Sequence, residues 1–416
     1  MCSSSIYLGF LACLVGVMGG LAGVVFHILL SFTLATLYGT NDIVTTLNTY
    51  PWWVVVLLPA MGGLLTGLLV VITRTPEIAG EGIPAIKIAL EKQQSVVRYR
   101  VALLKTTATI ATISTGGSAG REGPIVQIGS ALGSMVAQLA KVPHASRETL
   151  LLAGAAAAMA ATFGTPAAAL VFVVEVLRRP MTLWRVILLG TAVVCAMVIA
   201  RGVFSYQGLP VPVPTIITLD TNALFLAAVV GVVAGLVAVC FTYTLKITRT
   251  VSNQIVPQQW LRPAVGGLLV GVLLVWLPML HEAASYQFGT DLTNGISLPV
   301  GFLIIVLGTK IVATALTVGT GGSGGIFAPS LILGVMVGAI VQSGAEAFGL
   351  QISTQLLLVG MAAVFAGAAH APITAVFMVY ELADTTALLP SLIIACVIAY
   401  VTARAVTRQH IYSVHT

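Results

Sequence analysis

The sequence predicts an all-α polytopic membrane protein made of two homologous halves with interrupted helices. Three observations lead there. Of the 416 residues 58% are hydrophobic and only 8% charged, whereas a soluble domain carries about 25% charged residues. Apolar stretches of bilayer length, about 20 residues, recur throughout. The second half of the chain repeats the first in the same order and spacing.

A mean hydropathy of +1.04 makes lipid the expected surroundings. Stretches near 8–36, 52–73, 183–203, 223–245, 263–280, 296–318 and 388–404 are expected to cross the bilayer. The chain enters the first of these without a basic n-region or an A-x-A site, so it reads as a membrane helix and not a cleaved leader. The net charge is +6. Its basic residues lie in gaps between apolar runs: Arg98, Arg100 and Lys105; Arg178, Arg179 and Arg185; Lys246, Arg249 and Arg262; Arg404 and Arg408. They read as loop charges that orient helices, and no nucleic-acid partner is expected. Cys2, Cys13, Cys195, Cys240 and Cys396 are scattered without a CxxC pair. Neither a disulfide framework nor a metal site follows, and no cofactor is expected.

Four further apolar regions are broken by glycine and proline. The breaks fall at Gly116–Pro124, Gly164–Pro166, Gly319–Pro329 and His370–Pro372. At membrane depth an irregular backbone is tolerated only inside protein or beside a water-filled cavity.

The breaks form matched pairs. FLACLVGVMGGLAGVVF from Phe10 returns as FLAAVVGVVAGLVAVCF from Phe225, and PAMGGLLTG from Pro59 as PAVGGLLVG from Pro263. TGGSAGREGP from Thr115 returns as TGGSGGIFAP from Thr320. LLAGAAAAMAATFGTP from Leu151 returns as LLVGMAAVFAGAAHAP from Leu357, with Glu175 and Glu381 following at equal distance. The organisation expected is one transmembrane domain over 1–416, with repeat halves near 8–204 and 223–405 and a tail 406–416 carrying Tyr412. The residues alone leave parallel and inverted halves open. An inverted pair would bring equivalent helix ends together near the bilayer midplane, which suits a binding site better.

An anion in a bilayer needs compensation that is favourable yet easily reversed. Helix amino ends provide this. Each carries roughly half a positive charge and free N–H donors, worth about 0.3–2 kcal/mol, so several must converge. Three candidates stand out: Gly80-Glu81-Gly82-Ile83-Pro84 before AIKIALEK, Gly120-Arg121-Glu122-Gly123-Pro124 before IVQIGSALGSMV, and Gly324-Gly325-Ile326-Phe327-Ala328-Pro329 before SLILGVMVGAIV. Glycine permits close backbone approach, and proline suits the first helical turn.

These segments resemble the motifs GSGIP, G(K/R)EGP and GxFxP of the CLC family of chloride channels and chloride/proton exchangers, of the short bacterial type. A tyrosine near the end of the membrane domain is the family's fourth element, and Tyr412 in RQHIYSVHT matches it. The resemblance spans nearly the whole chain. It implies an inverted-repeat α-helical fold and a homodimer with a separate pore per subunit. It places Glu81, Gly82, Ile83, Arg121, Gly123, Ile326, Phe327 and Tyr412 at the anion. Chloride would be held by the N–H groups of Ile326 and Phe327 and by the Tyr412 hydroxyl. It makes Glu122 the gate: ionised, the carboxylate occupies an anion position; protonated, it swings away. An ionisable residue at membrane depth is a functional candidate on physical grounds too. The plainer alternative is a carboxylate that stabilises its own helix dipole.

Two residues depart from the family pattern. Glu81 stands where the family has serine. Three alternatives are open: burial keeps it protonated, it points away and leaves the site to backbone donors, or it acts as a second proton-sensitive gate. Val176 stands where many exchangers carry their inner proton-transfer glutamate, and channel members often carry valine there. Glu175, just before it, is either part of a proton path or a structural capping residue. His281 is expected in a loop, and His370 to satisfy local backbone. The chain ends four residues after Tyr412, so regulation by the nucleotide-sensing CBS domains of some members is not expected.

The expected function is transmembrane chloride transport through a glutamate-gated pore, as a channel or a proton-coupled exchanger, with fluoride or nitrate as alternative anions. The expected setting is a cell membrane, by analogy a bacterial inner membrane. The competing reading from another class is an intramembrane serine protease, since Gly321-Gly322-Ser323-Gly324 spells a GxSG motif with His370 as the nearest candidate base. The same Gly-Gly-Ser recurs at Gly116–Ser118, which a repeat explains without catalysis.

Overall fold

A computed structural model describes residues 2–39, 42–92, 94–206, 220–350 and 354–413. Residues 414–416 of the expected tail lie outside them. The first half contains α1 (Cys2–Tyr38), α2 (Ile43–Thr49), α3 (Trp52–Thr73), α4 (Ile83–Lys92), α5 (Arg100–Ser114), α6 (Glu122–Leu139), α7 (His144–Phe163), α8 (Pro166–Glu175) and α9 (Leu183–Met197), which runs on through a π turn at Val198–Val203. The second contains α10 (Thr221–Ile255), α11 (Arg262–Trp276), α12 (Glu282–Thr293), α13 (Val300–Gly319), α14 (Phe327–Ala347), α15 (Gln355–Ala369), α16 (Pro372–Ala383) and α17 (Leu389–Val406).

Length separates two classes of helix. The 22 residues of α3 reach about 33 Å at 1.5 Å per residue, enough for a hydrocarbon core of about 30 Å. The 10 residues of α4 and of α8 are too few to cross. Each expected break separates two helices. Gly164, at φ +74°, closes α7 and Pro166 opens α8. His370, at φ +54°, closes α15 and Pro372 opens α16. A left-handed residue that ends one helix and a proline that starts the next turn the chain within two residues.

The halves are related by a pseudo-two-fold axis, and their contacts fix its direction. Gly63 of α3 lies against the Pro263 carbonyl of α11, and Gly267 lies against that of Pro59. Likewise Gly67 meets Trp260, and Gly271 meets Val56. Position numbers rise along one helix as they fall along the other, so the equivalent helices are antiparallel. The axis is therefore perpendicular to them, and for helices that cross a bilayer it lies in the membrane plane. This is an inverted-topology repeat. The exposed rings of Trp52, Trp53 and Trp276 cluster at one end of this helix pair, as anchors at a membrane–water interface do.

The same exchange recurs elsewhere. Gly129 packs on Gly154 as Gly334 packs on Gly360. The Ser118 amide donates to Thr317 Oγ1 at 3.0 Å, and the Ser323 amide to Thr112 Oγ1 at 3.1 Å. Small residues let the backbones approach closely, as helix packing in lipid requires.

Several local expectations change. Lys105 is no loop charge: it is fully buried within α5, its ammonium donating to the carbonyls of Ile78 at 3.0 Å and Gly80 at 2.6 Å. Lys246 and Arg249 belong to α10, which runs to Ile255. His281 is buried at the start of α12, its Nδ1 accepting the Ala283 amide at 3.2 Å. Helix α12 itself is polar enough to escape a search for apolar stretches. The free cysteines Cys13 and Cys195, 182 positions apart, bring their sulfurs within 2.8 Å where α1 meets α9.

Candidate functional site

The glycine-rich segments that open α4, α6 and α14 are hydrogen-bonded to one another. The Gly80 amide donates to the Gly322 carbonyl at 3.1 Å, and the Gly324 amide returns to Gly80 at 3.1 Å. Gly120 and Gly325, equivalent positions of the two halves, exchange both backbone bonds, at 2.7 and 2.5 Å. The pseudo-two-fold axis must pass between them. A side chain on Gly123 would overlap the Glu81 carbonyl oxygen, and one on Gly325 would sit 2.7 Å from the Gly123 nitrogen. At these two places the close approach leaves room only for glycine. The tertiary fold thus gathers the three helix starts read from the sequence, including Gly82, Ile83, Gly123 and Ile326, all buried.

Glu122 is the first residue of α6 and only 2% exposed. Its Oε2 accepts the amide of Ala328, in the first turn of α14, at 3.3 Å. First-turn amides have no acceptor within their own helix, so the carboxylate supplies one from the other half of the molecule. Its Oε1 accepts the hydroxyl of Tyr286, on α12, at 3.0 Å. The carboxylate thus meets the amino ends of both α6, through its own backbone N–H, and α14. Ile326 caps α14 and Phe327 is its first residue. The Phe327 ring packs on Phe365 and Phe163, with centroids 4.3 and 5.6 Å away.

Tyr412 is 1% exposed, and its hydroxyl has no hydrogen-bond partner among the described residues. Hydrogen bonds to other elements and within the segment hold its backbone. The Ile411 amide donates to Ala368, the Tyr412 amide to His410 Nδ1 at 3.2 Å, and Lys87 Nζ of α4 to the Tyr412 carbonyl at 3.2 Å. Glu81 and Glu122 both act on this hydroxyl electrostatically. An orphaned buried donor is costly in the absence of an acceptor, and an anion would satisfy it.

The remaining candidates diverge. Glu81 lines a cavity with Thr242, Lys246, Arg249, Gln409 and His410. The Arg121 guanidinium turns to His27 Nδ1 at 3.0 Å and lies 5.8 Å from the centre of the Tyr286 ring. Glu175 is occupied at the amino end of α16, accepting the amides of Ile373 at 3.0 Å and Thr374 at 2.6 Å. Glu381 does the same for Ala167 and Ala168 at the start of α8, at 2.8 and 2.9 Å. Val176 is buried hydrocarbon. Ser323, the would-be protease nucleophile, pairs with Thr109 Oγ1 at 2.9 Å, while His370 packs on Tyr400 and His410.

Sequence reasoning missed Tyr286, Glu282 and Lys310. Lys310 of α13 is fully buried and donates to the Leu280 carbonyl at 3.1 Å, Glu282 Oε2 at 3.1 Å and Ser285 Oγ at 2.7 Å. One signal was available. Lys105 and Lys310 each stand ten residues before a Thr-Gly-Gly at matched repeat positions. A lysine preserved twice within apolar helices marks a buried clamp.

Comparison with known proteins agrees with this architecture. The family model described as voltage gated chloride channel matches residues 62–404. The H(+)/Cl(-) exchange transporter ClcA of Vibrio campbellii is 30% identical over 97% of this chain and 88% of its own length. That of Vibrio vulnificus is 31% identical over 99% and 89%. Among solved structures, a slow cyanobacterial Cl-/H+ antiporter superposes with a TM-score of 0.86 at 23% identity, covering 97% of this chain and 96% of its own. A CLC-type fluoride/proton antiporter gives 0.82 at 23% identity, covering 98% and 97%. At that identity the two structures speak for the fold alone. With the motifs, the inverted repeat and the family match in agreement, this chain belongs to the voltage-gated chloride channel, or CLC, family.

Proposed function

We propose that this chain carries chloride across a cell membrane along a path past the amino ends of α4, α6 and α14, closed by the ionised carboxylate of Glu122. One observation carries the reading: Glu122 Oε2 accepts the first-turn amide of Ala328. A carboxylate oxygen there occupies the kind of place a halide would take, within the positive end of a helix. Ion and carboxylate compete for it. Protonation removes the side chain's charge and its claim on the amide, and the anion replaces it. The donors left for chloride are the amides of Ile326 and Phe327 at the amino end of α14 and the hydroxyl of Tyr412. These are partial charges, so the ion is held reversibly.

Proton-coupled exchange is the form of transport that the ClcA relatives favour, since their names describe exchangers and they match nearly the whole chain. Passive conduction is the second reading. Val176 favours it, because a buried valine cannot carry a proton toward Glu122. Glu175, with both oxygens on the start of α16, takes the structural role. Glu81, lining a cavity with Lys246 and Arg249, leaves the ion to backbone donors. The molecule works as a homodimer in the bilayer, each subunit with its own path.

The test is reconstitution of purified protein into liposomes under a chloride gradient. Uphill proton movement establishes exchange, and chloride flux without it establishes conduction. Absence of any anion flux overturns the proposal.

A further inference from the structure

The gating carboxylate is held on both sides, and only one side is an anion site. Oε2 rests on α14, while Oε1 takes the Tyr286 hydroxyl at 3.0 Å. Tyr286 is a poor candidate for an accidental contact, because its helix is anchored. Glu282, one turn earlier on α12, is 3% exposed and bound through Oε2 to Lys310, whose other two donors hold Leu280 and Ser285. An ammonium has three donors, and here they hold the first turn of α12 and the residue Leu280 just before it. The Arg121 guanidinium lies against the Tyr286 ring on its other side.

We propose that Tyr286 is the latch of the gate, a positioning residue whose hydroxyl holds the ionised Glu122 carboxylate over the start of α14 and must be broken from it before the anion can pass. The inference rests on the gating role given to Glu122 above. A phenol donates one strong bond to an anionic oxygen and a weaker one to a neutral carboxyl. The latch therefore favours the ionised, closed form and releases the protonated one.

Other groups face Glu122 and act beside the latch. Arg121 precedes it in the chain, Glu282 faces it from α12, and Tyr412 lies near it from the C-terminal segment. Lys310 of α13 is committed to Glu282, and His27 of α1 to Arg121. Glu81, just before α4, and Lys105 of α5 lie near each other. Helix α7 runs antiparallel to α6, Gly129 meeting Gly154 and Gly133 meeting Leu150. Its charged residues His144, Arg147 and Glu148 therefore stand at the end away from Glu122. The first turn of α14 contains no charged residue.

The test follows chloride flux against pH in liposomes for the unaltered protein, Tyr286→Phe, Glu122→Gln and the double variant. Flux falls as pH rises and Glu122 ionises. Loss of a hydrogen bond to a charged group moves the pH of half-maximal flux upward by on the order of one unit in Tyr286→Phe, with the plateau at low pH retained. Glu122→Gln gives a flat profile, and the double variant matches it. A Tyr286→Phe profile that superposes on the unaltered protein, with Glu122→Gln still flat, overturns the latch alone. A Glu122→Gln profile that keeps the original pH dependence overturns the gate itself. If Tyr286→Phe does not reconstitute, infrared spectra in detergent, with Glu122→Gln to assign the carboxyl band, read the same midpoint. An unmoved band overturns the latch.

Discussion

The starts of α6 and α14 are equivalent places in the two halves, and they have become opposites. Each follows a glycine-rich break, and Gly120 and Gly325 pair across the pseudo-two-fold axis just before them. The first carries Glu122, whose carboxylate reaches across to the other half's helix and accepts the Ala328 amide. The second carries Phe327, whose ring is fixed between Phe163 and Phe365. Had both been acids, two carboxylates would face each other across the axis. Had both been aromatic, nothing would titrate. Glu175 and Glu381 show the contrary case. They are the same residue doing the same work, each accepting two amides at the start of the other half's short helix. Within this repeat, matched pairs hold the framework and the mismatched pair at the axis contains the proposed gate.

That contrast can be broken most sharply at the glycines. Gly123→Ala and Gly325→Ala push a methyl into backbone of the opposing segment, where nothing can yield. Loss of more than about 4 kcal/mol is expected, seen as failure to recover monodisperse protein on size exclusion. Gly120→Ala meets instead the Glu122 carboxylate and the Ala328 methyl. The carboxylate can move, so folded protein is expected, with flux raised at high pH because the gate is displaced.

Next come the two helix starts. Phe327→Ala removes a fully buried ring and is expected to cost about 3–5 kcal/mol, read as a lowered thermal midpoint in detergent. Glu122→Gln keeps the volume, and its expected effect falls on the pH profile. If both substitutions altered stability alone, the division between framework and gate would fail.

The matched lysines sharpen the comparison further. Lys310→Met strands the buried carboxylate of Glu282 and should cost about 3–5 kcal/mol. Lys105→Met strands the Ile78 carbonyl, leaves that of Gly80 with the Gly324 amide alone, and should cost about 1–3 kcal/mol. Thermal unfolding of the two variants side by side tests that order. The smallest expected effect is at the matched acids. Glu175→Gln and Glu381→Gln each weaken one amide bond and should lose similar stability, about 1–2 kcal/mol, without moving the pH of half-maximal flux. A shift in Glu175→Gln alone would return that residue to a proton path.

Much of this molecule could be read along a line. Low charge and long apolar runs place the chain in lipid, because a bilayer excludes unpaired charge whatever the fold. Repetition is a property of order and spacing, so the halves, the four breaks and the glycine–proline helix starts at 80–84, 120–124 and 324–329 were visible without coordinates. Packing had the final word elsewhere. That the halves are inverted follows from α3 and α11 running antiparallel, which no local pattern encodes. That Lys105 is a buried clamp, though its charge reads as a loop residue, depends on the carbonyls that surround it. The hydroxyl that reaches Glu122 comes from Tyr286, 164 positions away on a short helix with no apolar signal. Hydropathy and periodicity report what each segment prefers as a neighbour. Which donor meets which carboxylate is settled by the crossing of helices distant in the chain, and the surroundings of Glu122 are made of such meetings.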